Sequence, residues 1–277
     1  MMSRQKSNLR QLAAFFLLAF VIGWPALIPL LLNPRGPSWS AFIYLFSPAI
    51  SACIVAGAAN GRAGVRSIFG RYLLWRFPVR WYLLALLFVP AVFLVAILIF
   101  SAGFARSLWT NSPLYFVAAS FLYLMFITSG EEIGWRGFAL PRVQAAIPNP
   151  WLASIALGLI WGAWHLPEYF APGITNIPLL PFLVMIASLS TVYTVLFNHT
   201  QGSLFLAVLL HASTDIVPRI IKIGSLPPDF WWLIAGLILV AGIVLHLAAG
   251  NSKCRLASVE SSHDEGAENA VRYNYDS

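Results

Sequence analysis

Long apolar runs broken by short polar clusters set the plan of the chain. A helix that crosses the hydrocarbon core needs about 20 apolar residues, and eight segments approach that length. They are Leu12–Leu32, Trp39–Ala59, Trp81–Gly103, Leu114–Leu140, Trp151–Pro167, Ile177–Phe197, Ser203–Val217 and Asp229–Ala249. Residues 60–80 interleave Arg62, Arg66, Arg71, Arg76 and Arg80 with Ile68, Phe69, Tyr72, Leu73, Leu74 and Trp75, which predicts a helix lying in the interface with its arginines among anionic headgroups. From Gly250 onward Ser, Glu, Asp and Asn prevail, and a disordered tail is expected. The pattern therefore divides into N-terminal spans over 1–110, a membrane core over 111–249 and a polar tail over 250–277.

Composition places the chain in one class. Of its 277 residues 59% are hydrophobic and 10% charged, far from soluble usage, so an all-α polytopic membrane protein of about eight spans is expected. The net charge of +7 would suggest nucleic acid in a soluble protein, but the basic residues sit beside the spans as cytoplasmic loops require. No nucleic-acid partner is expected; the bilayer is. With both termini cytoplasmic, Arg4, Lys6, Arg10, the five loop arginines, Arg142, Lys253 and Arg255 share one side, eleven against Arg35, Arg106, Arg219 and Lys222 on the other. The first apolar run lacks a small-residue cleavage site and reads as a retained span. Cys53 and Cys254 are unpatterned and predict neither disulfide nor metal knuckle. No internal repeat of the kind transporters carry is visible.

Acidic residues are where the chemistry concentrates. Residues 1–130 contain no Asp or Glu, and then Glu131 and Glu132 stand side by side in an apolar segment. Ionisable groups at membrane depth are costly and mark partners or wet cavities. Glu132 and Arg136 are four apart, the favoured pairing on a helix, while Glu131 is rotated by about 100° and faces elsewhere. A buried pair that only fixes packing explains Glu132 and Arg136 but not Glu131. His165 ends the fifth span one turn after Trp161, with Glu168 beyond Pro167, where solvation of a loop would suffice to explain it. His211 and Asp215 share a face of the seventh span, where a helix-gluing hydrogen bond is the simpler reading. Together these residue types suit water activation and oxyanion stabilisation in a polar cavity, or a His/Glu zinc site with an open position. His199, His246 and His263 carry no such pattern, and the acceptor sequence Asn198-His199-Thr200 falls on the cytoplasmic side, where glycosylation does not occur.

Glu131-Glu132-x-x-x-Arg136, Trp161-x-x-x-His165 and His211-x-x-x-Asp215, in that order, resemble the three motifs of the CAAX prenyl protease and bacteriocin-immunity family of intramembrane peptidases. The strings Glu131 to Phe138 and Trp164 to Pro167 are similar to prokaryotic members. The resemblance covers roughly residues 110–217; Trp161 stands where Phe is commoner, and Asp215 where eukaryotic members usually have Asn.

The resemblance implies cleavage of a peptide bond at the membrane. Glu131 would act as general base on a water that His165 orients, Glu132 and Arg136 would hold Glu131, and His211 with Asp215 would stabilise the oxyanion or protonate the leaving amine. In the metal-dependent variant Glu131, His165 and His211 bind Zn²⁺. The substrate would be a peptide or protein, prenylated or otherwise membrane-associated. The compact eight-span plan with short loops suits a prokaryotic plasma membrane, with the endoplasmic reticulum as the eukaryotic equivalent. Two other classes use the same residues: a proton-coupled transporter with Glu131, Glu132, His211 and Asp215 as relay, and a silent immunity or scaffold protein. Oligomeric state is not legible. One conflict is internal to the reading. At a rise of 1.5 Å per residue, Glu131 stands about 12 Å above Leu140 and His165 about 21 Å above Trp151, whereas a shared site needs them level.

Overall fold

A computed structural model describes residues 2–33, 38–100, 109–170, 177–222 and 226–249. The expected tail over 250–277 and the charges Arg35, Arg106, Lys253 and Arg255 lie outside the described residues. The all-α expectation holds: among the described residues the only β feature is a single antiparallel bridge between Trp109 and Ile221. Helices α1 (Met2–Leu32), α2 (Ser38–Phe69) and α3 (Val79–Phe100) precede α4 (Leu114–Glu132), which passes through a π-helical stretch (Ile133–Ala139) into α5 (Leu140–Ala146). Then come α6 (Pro150–Trp164), a 3₁₀ turn (Leu166–Phe170), α7 (Leu179–His199), α8 (Leu204–Asp215), the short α9 (Val217–Ile220) and α10 (Pro228–Ala249).

Among the described residues six helical stretches are long and apolar enough to cross a membrane: Gln5–Leu32, Trp39–Leu73, Val79–Phe100, Leu114–Ala146, Leu179–His199 and Pro228–Ala249. The other two expected spans are shorter. Helix α6 has 15 residues and α8 has 12, or roughly 18 Å for the latter at 1.5 Å per residue, less than a hydrocarbon core. Helix α8 is an interior helix: every residue from Leu204 to Ser213 except Phe205 is buried, and α3, α4 and α7 pack around it. Its start is set by Ser203, whose hydroxyl accepts from the Leu206 N–H at 3.2 Å. The preceding turn carries Gln201 and Gly202 at φ 52° and 81°. The Gly202 N–H reaches back to the Phe197 carbonyl at 2.8 Å, a Schellman closure of α7. In the same turn Asn198 is buried and its Oδ1 accepts from Gln144 Nε2 at 3.2 Å, so the glycosylation sequence is committed to packing.

The arginine-rich stretch is helical in its first half. Helix α2 breaks at Asn60 and Gly61, where Gly61 takes φ 59°, and then runs on to Phe69 before a 3₁₀ turn. Arg62, Arg66, Arg76 and Arg80 are exposed, but Arg71 turns inward, buried with its guanidinium 5.3 Å from the Phe197 ring centroid. A cation over an aromatic face retains attraction when desolvated; Arg76 and Arg80 also lie over rings, those of Trp75 and Trp81, and stay exposed. Arg142 donates to Gln11 at 3.1 Å, beside Arg10, whereas the Arg219 carbonyl accepts from Thr110 at 2.6 Å, just before the far end of α4.

Close helix contact brings α4 and α2 together. A Cβ on Gly134 would lie 2.4 Å from Pro48 Cβ and 2.6 Å from its carbonyl carbon, and one on Gly130 would lie 2.7 Å from the Leu45 oxygen. Small residues permit such backbone approach in membranes. Gly134→Ala is therefore expected to destabilise the fold by about 1–3 kcal/mol through overpacking. A thermal melt in detergent with an unchanged midpoint would contradict this packing.

Candidate active site

The site is assembled from the middle of the Leu114–Ala146 span, the end of α6 and the interior α8. Glu131 and Glu132 close the α-helical part of α4, and a π-helical stretch begins at the next residue. Such bulges recur at functional sites because they re-aim side chains within a continuous helix. Every residue from Gly130 to Pro141 is buried.

Glu132 carries the structural half of the pair. Its Oε1 accepts from Arg136 Nη1 at 2.8 Å and contacts His211 Nδ1 at 2.8 Å. The Arg136 guanidinium is sandwiched, its carbon 4.0 Å from the Trp161 ring centroid and 3.8 Å from that of Tyr193. The two expected roles are thus redistributed: Glu132 and Arg136 do not hold Glu131, they hold His211 and the aromatic rings around it. Glu131 points the other way, as the rotation between adjacent helical residues requires. Its Oε2 accepts from Trp161 Nε1 at 2.7 Å and lies 3.8 Å from His165 Nε2.

His165 and Glu131 therefore meet, and the expected mismatch in height disappears. The helix carrying Glu131 does not end at Leu140 but continues to Ala146. Fifteen residues separate Glu131 from Ala146 and fifteen separate Pro150 from His165, so the two side chains rise equally from the shared turn. Asn149 fixes that turn: its side-chain oxygen accepts from the Trp151 and Leu152 N–H groups at 2.9 and 3.2 Å, with Pro150 opening α6.

Asp215 is less engaged than its spacing suggested. Its Oδ2 is 3.8 Å from His211 Nε2, outside hydrogen-bond range, and its side chain is 40% exposed. The expected helix-gluing His/Asp hydrogen bond is not made at this distance, and Glu132 meets the other ring nitrogen, Nδ1, at 2.8 Å. Both groups instead face a cavity of about 330 Å³. Glu131, Trp161, His165, Glu168, His211, Thr214 and Asp215 form its polar end; Phe93, Phe182, Met185, Ile186, Leu189 and Trp231 are among its apolar walls.

The remaining histidines of the described residues stay outside the site. His199 contacts its own helix through the Val195 carbonyl at 2.9 Å, and His246 lies against the Trp151 ring. Two contributors were not singled out from the sequence. Glu168 meets His165 Nδ1 at 2.9 Å, and Tyr44, from α2, donates to the same Glu168 oxygen at 2.9 Å. Glu168 had a signal, being the only acid between Glu132 and Asp215; Tyr44 had none.

The zinc reading was tested on the donors. Among the described residues no three His, Cys, Asp or Glu side chains converge closely enough to hold a metal ion. His211 meets Glu132 and His165 meets Glu168 through one ring nitrogen each, which leaves the other on each ring, an arrangement that carboxylate-supported metal ligands share. As placed, Glu131, His165 and His211 do not converge into a three-donor zinc site.

Comparison with known proteins agrees with the motifs. Residues 112–217 match the family described as Type II CAAX prenyl endopeptidase Rce1-like. A curated relative from Methanococcus maripaludis, named CAAX prenyl protease 2, is 29% identical over 157 residues, covering 50% of this chain. Those residues cover 55% of the relative, so the chain spans about half the length of the curated protein it matches. The resemblance drawn from the three motifs is thereby shown, and all six motif residues lie inside the matched segment; Tyr44 does not.

Proposed function

We propose that this protein is an intramembrane endopeptidase that cleaves a peptide bond in a lipidated or membrane-associated protein or peptide. The observation that carries this reading is the approach of Glu131 Oε2 to His165 Nε2, 3.8 Å apart on the wall of the cavity. A water bridging the two could hydrogen-bond to both at ordinary lengths. Glu131 takes a proton from that water, and the water oxygen attacks the scissile carbonyl carbon. The oxyanion that forms faces His211, which when doubly protonated gives Nδ1–H to Glu132 and Nε2–H to the oxyanion. Asp215, beside Nε2, steadies that charge. Collapse breaks the C–N bond, and the proton held by Glu131 passes to the leaving amine.

The half-apolar cavity supports a substrate that brings a hydrocarbon group with it, and a prenylated C-terminus is the class named by the relative. A prokaryotic plasma membrane with both termini cytoplasmic is the orientation that the basic residues favour. The test is cleavage of a lipidated reporter peptide by protein reconstituted in vesicles. Solute transport driven by a pH gradient, without cleavage, would favour the relay; function that survives loss of Glu131 and both histidines would favour the scaffold.

Metal content separates this route from the zinc route. Because the donors do not converge, elemental analysis of active, solubilised protein is expected to return far less than one equivalent of zinc. About one equivalent, lost in a His165→Ala, His211→Ala double variant, would make Glu131, His165 and His211 ligands instead.

A further inference from the structure

Helix α6 stops where the chain makes its tightest local decision. Trp164 ends it, His165 caps it, and Pro167 prevents its continuation, so Leu166–Phe170 folds as a 3₁₀ turn with the Glu168 N–H on the His165 carbonyl at 3.0 Å. That turn brings the Glu168 carboxylate back over the imidazole, and Oε1 meets His165 Nδ1 at 2.9 Å. The same oxygen accepts from the Tyr44 hydroxyl at 2.9 Å. The Tyr44 ring is stacked on Trp164 with centroids 4.0 Å apart and planes 1° from parallel. Its hydroxyl is also 3.3 Å from the Trp164 carbonyl, but the Glu168 carboxylate is the nearer acceptor and the charged one, so the phenolic proton goes to Glu168.

We infer that Glu168, braced by Tyr44, is a positioning residue that fixes the ring orientation and the tautomer of His165. The inference rests on the endopeptidase reading for its kinetic consequence, though not for its geometry. A carboxylate on Nδ1 can only accept, so the neutral ring carries its proton there and turns the Nε2 lone pair toward Glu131 and the water between them. A histidine without an acceptor on Nδ1 divides between two tautomers and is free to rotate, and only one of these accepts from the water. Glu168 touches neither the water nor the scissile bond. Tyr44 extends the device into α2, outside the segment shared with the peptidase family.

The test combines ¹⁵N-histidine NMR of the solubilised full chain with turnover of the lipidated reporter. The His165 signal is assigned by its absence in His165→Ala. In the wild type it is expected to show the Nδ1–H form, and in Glu168→Ala a mixture of tautomers. Turnover of Glu168→Ala should fall by about 10- to 100-fold, less than loss of a general base, with KM within about twofold of wild type. Glu168→Gln keeps an acceptor oxygen and should recover most of the tautomer and part of the rate. Tyr44→Phe should lower turnover by about two- to fivefold. If Glu168→Ala does not fold, Glu168→Gln and Tyr44→Phe still discriminate, because a wild-type rate in both would overturn the inference. An unchanged His165 tautomer in a folded Glu168→Ala would do the same. A wild-type protein that holds the Nδ1–H form yet cleaves nothing would instead defeat the endopeptidase reading and leave the positioning role intact.

Discussion

Glu131→Gln is expected to lower peptide cleavage by about 10²- to 10⁴-fold, the range that a general base contributes. The substitution is close to isosteric. Trp161 Nε1, which donates to Glu131 at 2.7 Å, can donate equally to a glutamine oxygen, so neither the fold nor the cavity should change. What is lost is the capacity to accept the proton of the attacking water and return it to the leaving amine. The loss should appear in kcat with little change in KM, since Glu131 sits at the polar end of the cavity and not along its apolar walls. The measurement is the cleavage rate of a lipidated reporter peptide by reconstituted protein, with a detergent melt alongside to confirm folding. A variant that cleaves at the wild-type rate would sink the assignment of Glu131 as the base.

Arg136→Met should be the most damaging single change to stability. The guanidinium is 1% exposed, donates to Glu132 at 2.8 Å and lies between the rings of Trp161 and Tyr193. Removing it leaves the buried Glu132 carboxylate with His211 as its remaining cationic partner, and breaking a buried pair in this way costs about 3–5 kcal/mol. The neighbouring Tyr193 and Trp161 rings lose a cation on their faces as well. Combining it with Glu132→Gln removes the stranded charge, so the double variant should be more stable than Arg136→Met alone. Unfolding in mixed micelles reads both. An Arg136→Met midpoint equal to wild type would show that the pair does not hold α4 against α6, α7 and α8. The double variant should remain slow in cleavage even when it is stable, because His211 loses the carboxylate that fixes its Nδ1.

How far the site was legible depended on whether its signal was local. Glu132 and Arg136 were paired by helical spacing alone, and their 2.8 Å contact survives even though Arg136 lies in a π-helical stretch. The opposite aim of Glu131 followed from the rotation between adjacent helical residues. His211 and Asp215 had the same local signal and lie 3.8 Å apart, but spacing does not reveal that Glu132, 79 residues away, meets the other ring nitrogen at 2.8 Å. Glu168 stood out only as an isolated acid after a proline, and solvation of a loop explained it equally well. Arg71 looked like its four neighbours in the interfacial stretch, and its burial beside the Phe197 ring is a tertiary contact that the local pattern does not show.

The sequence by itself determined the apolar runs, the clustering of arginines between them, and the residue types of the chemistry. These follow from composition and periodicity, which are properties of each segment taken alone. Only the tertiary structure decided which side chains meet. It brought His165 level with Glu131 through a helix that runs on to Ala146, made α8 an interior helix too short to span, and set Tyr44 of α2 against Glu168. Those outcomes depend on helix lengths, tilts and close glycine contacts summed over the whole bundle, and no single stretch of the chain encodes them.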